Sequence, residues 1–270
     1  MRIATWNVNS VRARTARIVD WLELSDVDVL AMQEIKCKTE QFPYEAFEAA
    51  GYEVQAHGFS QWNGVAIASR LPMSEVERDF VGQPGYANTG DPVVEARAMA
   101  ATVEGVRLWS LYVPNGRELA HAHYDYKLEW LRVLTGHLGG WSGRPLALMG
   151  DFNIAPLDSD VWDIRVFDGS THVSPPERQA FEALLSAGLV DVVRDRAPGY
   201  TYWDYKAGRW NKNEGMRIDF VLGTPEFADL VTRASIHRDQ RQGDAPSDHV
   251  PVVVDLDLET ELDDDRPMIF

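Results

Sequence analysis

A single cysteine, Cys37, stands among 270 residues. No internal disulfide can form, no pair of thiolates can hold zinc, and one unpaired thiol fits a reducing compartment. No run of about 18 consecutive apolar residues is present, and the opening MRIATWNVNS has no apolar stretch of signal-peptide length. The expectation is a soluble, cytoplasmic protein with no membrane partner. Positive charge is also scarce: 26 Lys and Arg stand against 42 Asp and Glu, a formal net charge of −16. That disfavours a protein that holds nucleic acid by a bulk positive field. The deficit is uneven, however, because seven acids and no base fall between Asp255 and Asp265. A bound cation and a few Arg and Lys can still neutralise phosphates locally. The sequence further lacks an HExxH helix, a GxxxxGK[ST] loop, a GxSxG elbow and any short-period repeat, which removes zincin, P-loop, hydrolase-elbow and solenoid readings.

What is present is an ordinary globular composition with 45% apolar residues and nine Trp, nine Tyr and ten Phe, enough to offset the entropy of ordering a compact core. Strand-like runs lie at Arg2–Asn7, Val27–Gln33, Gly64–Ser69, Ala98–Val103, Arg107–Tyr112, Leu146–Phe152, Arg217–Leu222 and Val250–Leu256. Many are apolar on consecutive positions, as strands covered on both faces are. Val11, Arg14, Ile18, Trp21 and Leu22 recur at helical spacing, as do Tyr124, Leu128, Leu131, Leu134 and Leu138. Ser174-Pro175-Pro176-Glu177 carries the signature of a helix start, and Gly188 is placed to end that helix. With no linker composition inside the chain, one domain over residues 1–258 is expected, followed by an acidic solvated tail at 259–270.

Polar residues gather where the apolar strands end, the position at which layered α/β folds place chemistry. Glu34 follows an apolar strand, and a carboxylate there can ligate a hard cation, although a lone glutamate is ordinarily only a surface residue. Asp151 ends Leu146–Gly150, with Asn153 on the same side two residues later. A carboxylate beside an amide can orient a water, although the same pair also makes a plain turn. Asp219 lies inside an otherwise apolar strand and so needs a partner; His249, in Ser247-Asp248-His249, is the natural one. Oxygen ligands with a histidine suit Mg²⁺ or Mn²⁺.

These clusters, in this order, resemble the exonuclease III family of the endonuclease/exonuclease/phosphatase superfamily. The resemblance runs through ATWNVNSVRAR, LAMQEIKC, LYVPNG, GDFNIAPLDSDVWD, THVSPPERQAF, GLVDVVR, YTYWDY, MRIDFVLGT and PSDHVPVVVDL, nearly the whole chain. It implies a DNase I-like four-layer α/β sandwich, two packed mixed β-sheets flanked by helices. It also implies a Mg²⁺-dependent (or Mn²⁺-dependent) repair phosphodiesterase that digests duplex DNA 3′ to 5′, cuts 5′ to abasic sites and removes 3′ blocking groups. By motif, Glu34 would bind the metal, with Asn7, Asn9, Asp151, Asn153, Asp248 and His249 as further ligand candidates for one ion or two. Tyr112, Asp151, Asn153, Asp219 and His249 would be catalytic, with either Asp151 or the Asp219–His249 pair activating water. Asn115, Arg117, Tyr202, Trp203, Arg209, Trp210 and Met216 would meet DNA, with Tyr202, Met216 and Ile218 walling a sugar pocket. A monomer is the default. A phosphatase or phosphodiesterase acting on an inositol phosphate, lipid or nucleotide is the rival enzyme, and a noncatalytic DNA-binding module the rival of another class.

Overall fold

Leu146–Asp151 is buried at all six positions, and Val106–Tyr112 at all seven, as strands must be when both faces of their sheet are covered. The computed structural model describes residues 1–141 and 143–258; the expected acidic tail lies outside the described residues. Along the described chain the strands are β1 (Arg2–Asn7), β2 (Val29–Gln33), β3 (Glu53–His57), β4 (Val65–Ser69), β5 (Ser74–Arg78), β6 (Ala98–Val103), β7 (Val106–Tyr112), β8 (Leu146–Asp151), β9 (Val190–Asp191), β10 (Asp219–Gly223), β11 (Val231–Ile236) and β12 (Val252–Leu256). The helices are α1 (Val11–Ser25), α2 (Tyr44–Ala49), α3 (Ala122–His137), α4 (Pro175–Ser186), α5 (Arg209–Lys212) and α6 (Pro225–Leu230).

The strands form two six-stranded mixed sheets, β11-β12-β1-β2-β4-β3 and β5-β6-β7-β8-β10-β9. Each is built around one parallel pair joined by a helix, β1-α1-β2 in the first and β7-α3-β8 in the second. The halves therefore repeat one topology, which the low identity between them hides in the sequence. Alternation along β1 sorts its side chains: Ile3 faces the apolar layer between the sheets, while Ala4 and Trp6 face α1 and α2. The outer face of the second sheet packs on α3 and α4 through Trp109, Trp130, Leu131, Phe181 and Phe220. Helix, sheet, sheet and helix make the expected four-layer α/β sandwich. Among the described residues, no helix is long and apolar enough to cross a membrane.

Several strand ends differ from expectation for local reasons. Arg217 precedes β10 because its N–H donates to Asp160 O at 2.8 Å in a loop. β12 begins only after Pro251, which has no ladder donor. α4 starts as expected: Ser174 Oγ accepts the Glu177 N–H, the Glu177 carboxylate returns to the Ser174 N–H, and Pro175 opens the first turn. Gly150 is required by close approach. At φ 150°, a Cβ there would lie 2.0 Å from Leu111 O on β7.

Candidate active site

Register assembles the site from both sheets. In the second sheet Asp151, at the end of β8, pairs with Tyr112 of β7 on one side and with Asp219 of β10 on the other. In the first, Asn7 at the end of β1 pairs with Gln33 at the end of β2, and Glu34 follows directly. Glu34 and Asn153 both hold left-handed backbone, φ 51° and 52°. For non-glycine residues that is a strained geometry of the kind found where side chains are aimed at a site.

Asn7 spans the two sheets. Its Nδ2 donates to Glu34 Oε1 at 2.8 Å and to Asp151 Oδ2 at 3.0 Å, while its Oδ1 accepts the Asn9 N–H. Asn7 thus spaces two carboxylates with its N–H groups and turns its oxygen away from them. Asn153 flanks Asp151 in the same way: its N–H donates to Asp151 Oδ1 at 2.9 Å, and its Nδ2 donates to Asp151 Oδ2 and to Val113 O. Its Oδ1 accepts from Asn115 Nδ2 at 3.1 Å, so its oxygen too is engaged away from the carboxylates. Asp248 is held by Asn9 Nδ2 at 2.9 Å. It lies outside the compact group of Glu34, Asp151 and His249, whose candidate ligand atoms all fall within 4.8 Å of one another.

Asp219 and His249 meet as their sequence context requires, Nδ1 to Oδ2 at 2.8 Å, and Thr201 Oγ1 donates to the same Asp219 oxygen at 2.6 Å. His249 Nε2 then lies 3.8 Å from Asp151 Oδ2. Burial opposes charge on this imidazole, but the Asp219 and Asp151 carboxylates outweigh it and hold His249 up to about 10. Burial also drives the Asp151 carboxyl up, to about 7, opposed by His249 and reinforced by Asp219 and Glu34. Burial works against charge on Glu34 as well. There Lys36, 2.7 Å away, and the Asn7 amide prevail, so its carboxyl stays below the usual range. Tyr112 is buried near Glu34, which raises its phenol and keeps it neutral, and Arg97 lies 4.8 Å over its ring.

The donor set fits a divalent cation. Two hard carboxylates at a strand-end edge are what Mg²⁺ takes from a protein when substrate phosphates supply further oxygens. His249 belongs to the same group and, when neutral, could offer a ring nitrogen to the ion; in its charged form it has no lone pair and is suited to contact an anion.

Beside these residues opens a cleft of about 430 Å³ lined by Arg117, Trp162, Phe167, His172, Tyr202, Arg209 and Met216. Tyr202 packs on His249 with ring centroids 4.8 Å apart, and Arg209 lies 4.8 Å over Trp162. Met216 and Ile218 form a small apolar cluster with Val161 and Val173, against which Tyr202 packs. Two residues expected at a DNA face sit elsewhere. Trp203 is fully buried, edge-on to Trp210, and Trp210 is half-buried beneath Arg238 rather than lining the cleft.

Three features went unread in the sequence. Trp162 and Phe167 lie in a stretch too irregular to show a face. His172, with φ 76°, places Nε2 3.1 Å from Asn153 Oδ1 and 3.3 Å from Asn115 Nδ2. Trp62 is 71% exposed in the loop between β3 and β4, which the Ile35 and Lys36 N–H groups tie to the Glu34 loop.

The histidines predict a pH profile for the metal-free fold. Burial, with Lys127 nearby, lowers His172 to about 3, and burial beside Arg97 does the same to His123. As pH falls below 6.5 the unfolded chain takes up these protons before the native one does, so stability declines toward pH 3. Asp151 opposes this by one proton, because its raised carboxyl destabilises the fold as pH climbs from 3.8 toward 7. His249 contributes stability that is complete below 6.5 and lost as pH rises through about 10. Thermal unfolding in EDTA should therefore be most resistant near pH 6.5; a midpoint still climbing at pH 9 would contradict these assignments.

A family model described as "Endonuclease/Exonuclease/phosphatase family" matches residues 4–249. Exodeoxyribonuclease III of Haemophilus influenzae is 29% identical over 272 residues, covering 93% of this chain and 98% of the relative. Among solved structures, the 3′ phosphatase NExo from Neisseria bound to product DNA hairpin superposes with TM-score 0.88 at 34% identity, covering 96% of this chain and all of the other. An AP endonuclease from Archaeoglobus fulgidus does so with TM-score 0.88 at 32% identity and the same coverage.

Proposed function

The chain belongs to the endonuclease/exonuclease/phosphatase family, and from that premise we propose that it is a Mg²⁺-dependent DNA-repair phosphodiesterase. It removes nucleotides and blocking groups from 3′ ends of duplex DNA and cuts 5′ to abasic sites. The observation that carries this reading is the joining of the Glu34–Asp151 carboxylate pair to an Asp219–His249 dyad, with His249 packed on Tyr202 of an adjoining aromatic, arginine-bearing cleft. DNA as the substrate class is supported by the product hairpin held by the Neisseria neighbour, and 3′ ends by that protein's description as a 3′ phosphatase.

When bound, the cation supplies Lewis-acid polarisation of the scissile phosphate and stabilises the leaving oxygen; Glu34, kept ionised by Lys36, would hold it with Asp151 alongside. Asp151, whose carboxylate is buried beside His249, is placed to accept a proton from water. Asn7 and Asn153 fix the direction of its lone pairs. His249, charged and oriented by Asp219, meets the negative charge that develops on the phosphate oxygens, and the neutral Tyr112 phenol offers one more donor. Arg117 and Arg209 at the cleft rim suit the backbone of a nucleic acid, and Tyr202 and Trp162 offer ring faces to a sugar or base.

The test offers purified protein three duplexes, with a recessed 3′ end, a 3′-phosphate and one abasic site, each with Mg²⁺ or EDTA. Metal-dependent release of 3′ nucleotides or phosphate, with incision 5′ to the abasic sugar, is the expected result. Turnover of an inositol phosphate with all three duplexes intact would replace this reading by the rival one.

A further inference from the structure

Lys127 and Glu177 form an ion pair in which both side chains are 0% exposed. Neither lines the cleft itself, and nothing in the proposed chemistry uses them. Lys127 stands on the core-facing side of α3 among Trp130, Leu131 and Leu134, and Glu177 on the first turn of α4. Burying two charges is expensive, and apolar residues of similar volume commonly give equal or greater stability. A charge pair at such a place therefore calls for a reason other than stability.

Its hydrogen bonds supply one. Besides Glu177, Lys127 Nζ donates to Asn153 O at 2.7 Å and to Asn115 O at 3.3 Å. Its three N–H groups thus go to three separate segments. Glu177 Oε1 also accepts from Thr171 Oγ1 at 2.6 Å and from the His172 N–H at 2.9 Å, and Oε2 accepts from Ser174 Oγ at 2.6 Å and the Ser174 N–H at 3.2 Å. A capping box needs only the Ser174 contacts; the rest fix the loop ahead of the helix. That loop carries His172 in left-handed backbone. It also presses on the neighbouring turn, where a Cβ at Gly116 would meet Thr171 Oγ1 at 2.8 Å.

We propose that Lys127 and Glu177 are positioning residues that lock the Asn115, Asn153 and His172 loops into one arrangement, so that the Asn153 amide beside Asp151, and the Asn115 amide bonded to it, are set by a buried charge pair remote from substrate. The inference rests on the proposed reaction only for the statement that these amides serve catalysis. A Lys ammonium suits this place because it can reach two carbonyls and a carboxylate in different directions at once. A pair that served only to join α3 to α4 would leave the two loop carbonyls without it.

The test compares wild type with Lys127→Met, Glu177→Gln and the double variant Lys127→Met/Glu177→Met. Readouts are thermal midpoint, kcat and KM on a recessed 3′ duplex with Mg²⁺, and amide hydrogen exchange without substrate. The double variant leaves no uncompensated buried charge but strands the Asn115 and Asn153 carbonyls and the Thr171, His172 and Ser174 donors, so its thermal midpoint is expected to fall while it stays folded, with kcat lower on the order of 10²-fold and little change in KM. Exchange should accelerate together at residues 113–117, 152–155 and 170–174. A folded double variant with wild-type kcat and unaltered exchange in these loops overturns the proposal. Should the double variant not fold, Glu177→Gln decides by the same readouts, and exchange confined to α4 is then the overturning result. Wild type that cleaves no DNA would count against the proposed function, while the exchange data still decide on the positioning role.

Discussion

Asp151→Asn is expected to lower kcat on a recessed 3′ duplex by on the order of 10³- to 10⁴-fold, with KM nearly unchanged. Every feature of the environment supports so large an effect. The carboxylate is buried, its two oxygens are aimed by Asn7 and Asn153, and a charged imidazole stands 3.8 Å from Oδ2. An amide keeps the size and can still accept the Asn153 N–H, but it cannot take a proton at neutral pH, and its own N–H₂ would face that of Asn7. Loss should therefore appear in turnover and not in substrate binding. Activity within tenfold of wild type would transfer the proton to the Asp219–His249 pair, which would then be the base.

The second large effect is expected at Glu34. Glu34→Gln should weaken Mg²⁺ binding by at least about 10²-fold, read both by calorimetric titration of the protein and by the Mg²⁺ concentration that half-restores activity after EDTA. The substitution does more than delete one negative charge. Lys36, now paired with Glu34 at 2.7 Å, is left without that partner beside the site and repels an incoming cation. Activity at saturating Mg²⁺ should recover much of its value, which separates a ligand from a proton carrier. An unchanged Mg²⁺ dependence would remove Glu34 from the metal site.

How much of this was readable in the sequence depends on where each residue lies in the layers. Central strands such as Leu146–Asp151 announce themselves because burial on both faces leaves no polar position. β5, Ser74–Arg78, is exposed at every position, and an edge strand with charge on both faces and Val76 as its one apolar residue carries almost no apolar signal. The Asp219–His249 pair was legible because an acid amid apolar neighbours must find a partner. Lys127 was not, since Tyr124, Leu128, Leu131 and Leu134 were read as the apolar face of α3 and a lysine beside them passes for solvent-facing. Glu177 was recognised only as a capping residue. Its further bonds run to loops whose proximity depends on the way β7 and β8 lie side by side, which no local pattern encodes. Trp203 erred in the opposite direction: an aromatic next to cations suggests a ligand surface, but one of several aromatics in such a segment also has to fill the space behind it.

One missing atom in β8 sets the scale of the whole site. Gly150 stands opposite Leu111, and the next pair along the two strands is Asp151 with Tyr112. A methyl group at position 150 would collide with Leu111 O at 2.0 Å, and the strands could accept it only by moving apart. The separation between a phenol and a carboxylate is thus metered by a hydrogen where every other amino acid carries a carbon. A neutral, uncharged substitution one residue away from the chemistry would rescale the gap that the reacting phosphate has to bridge.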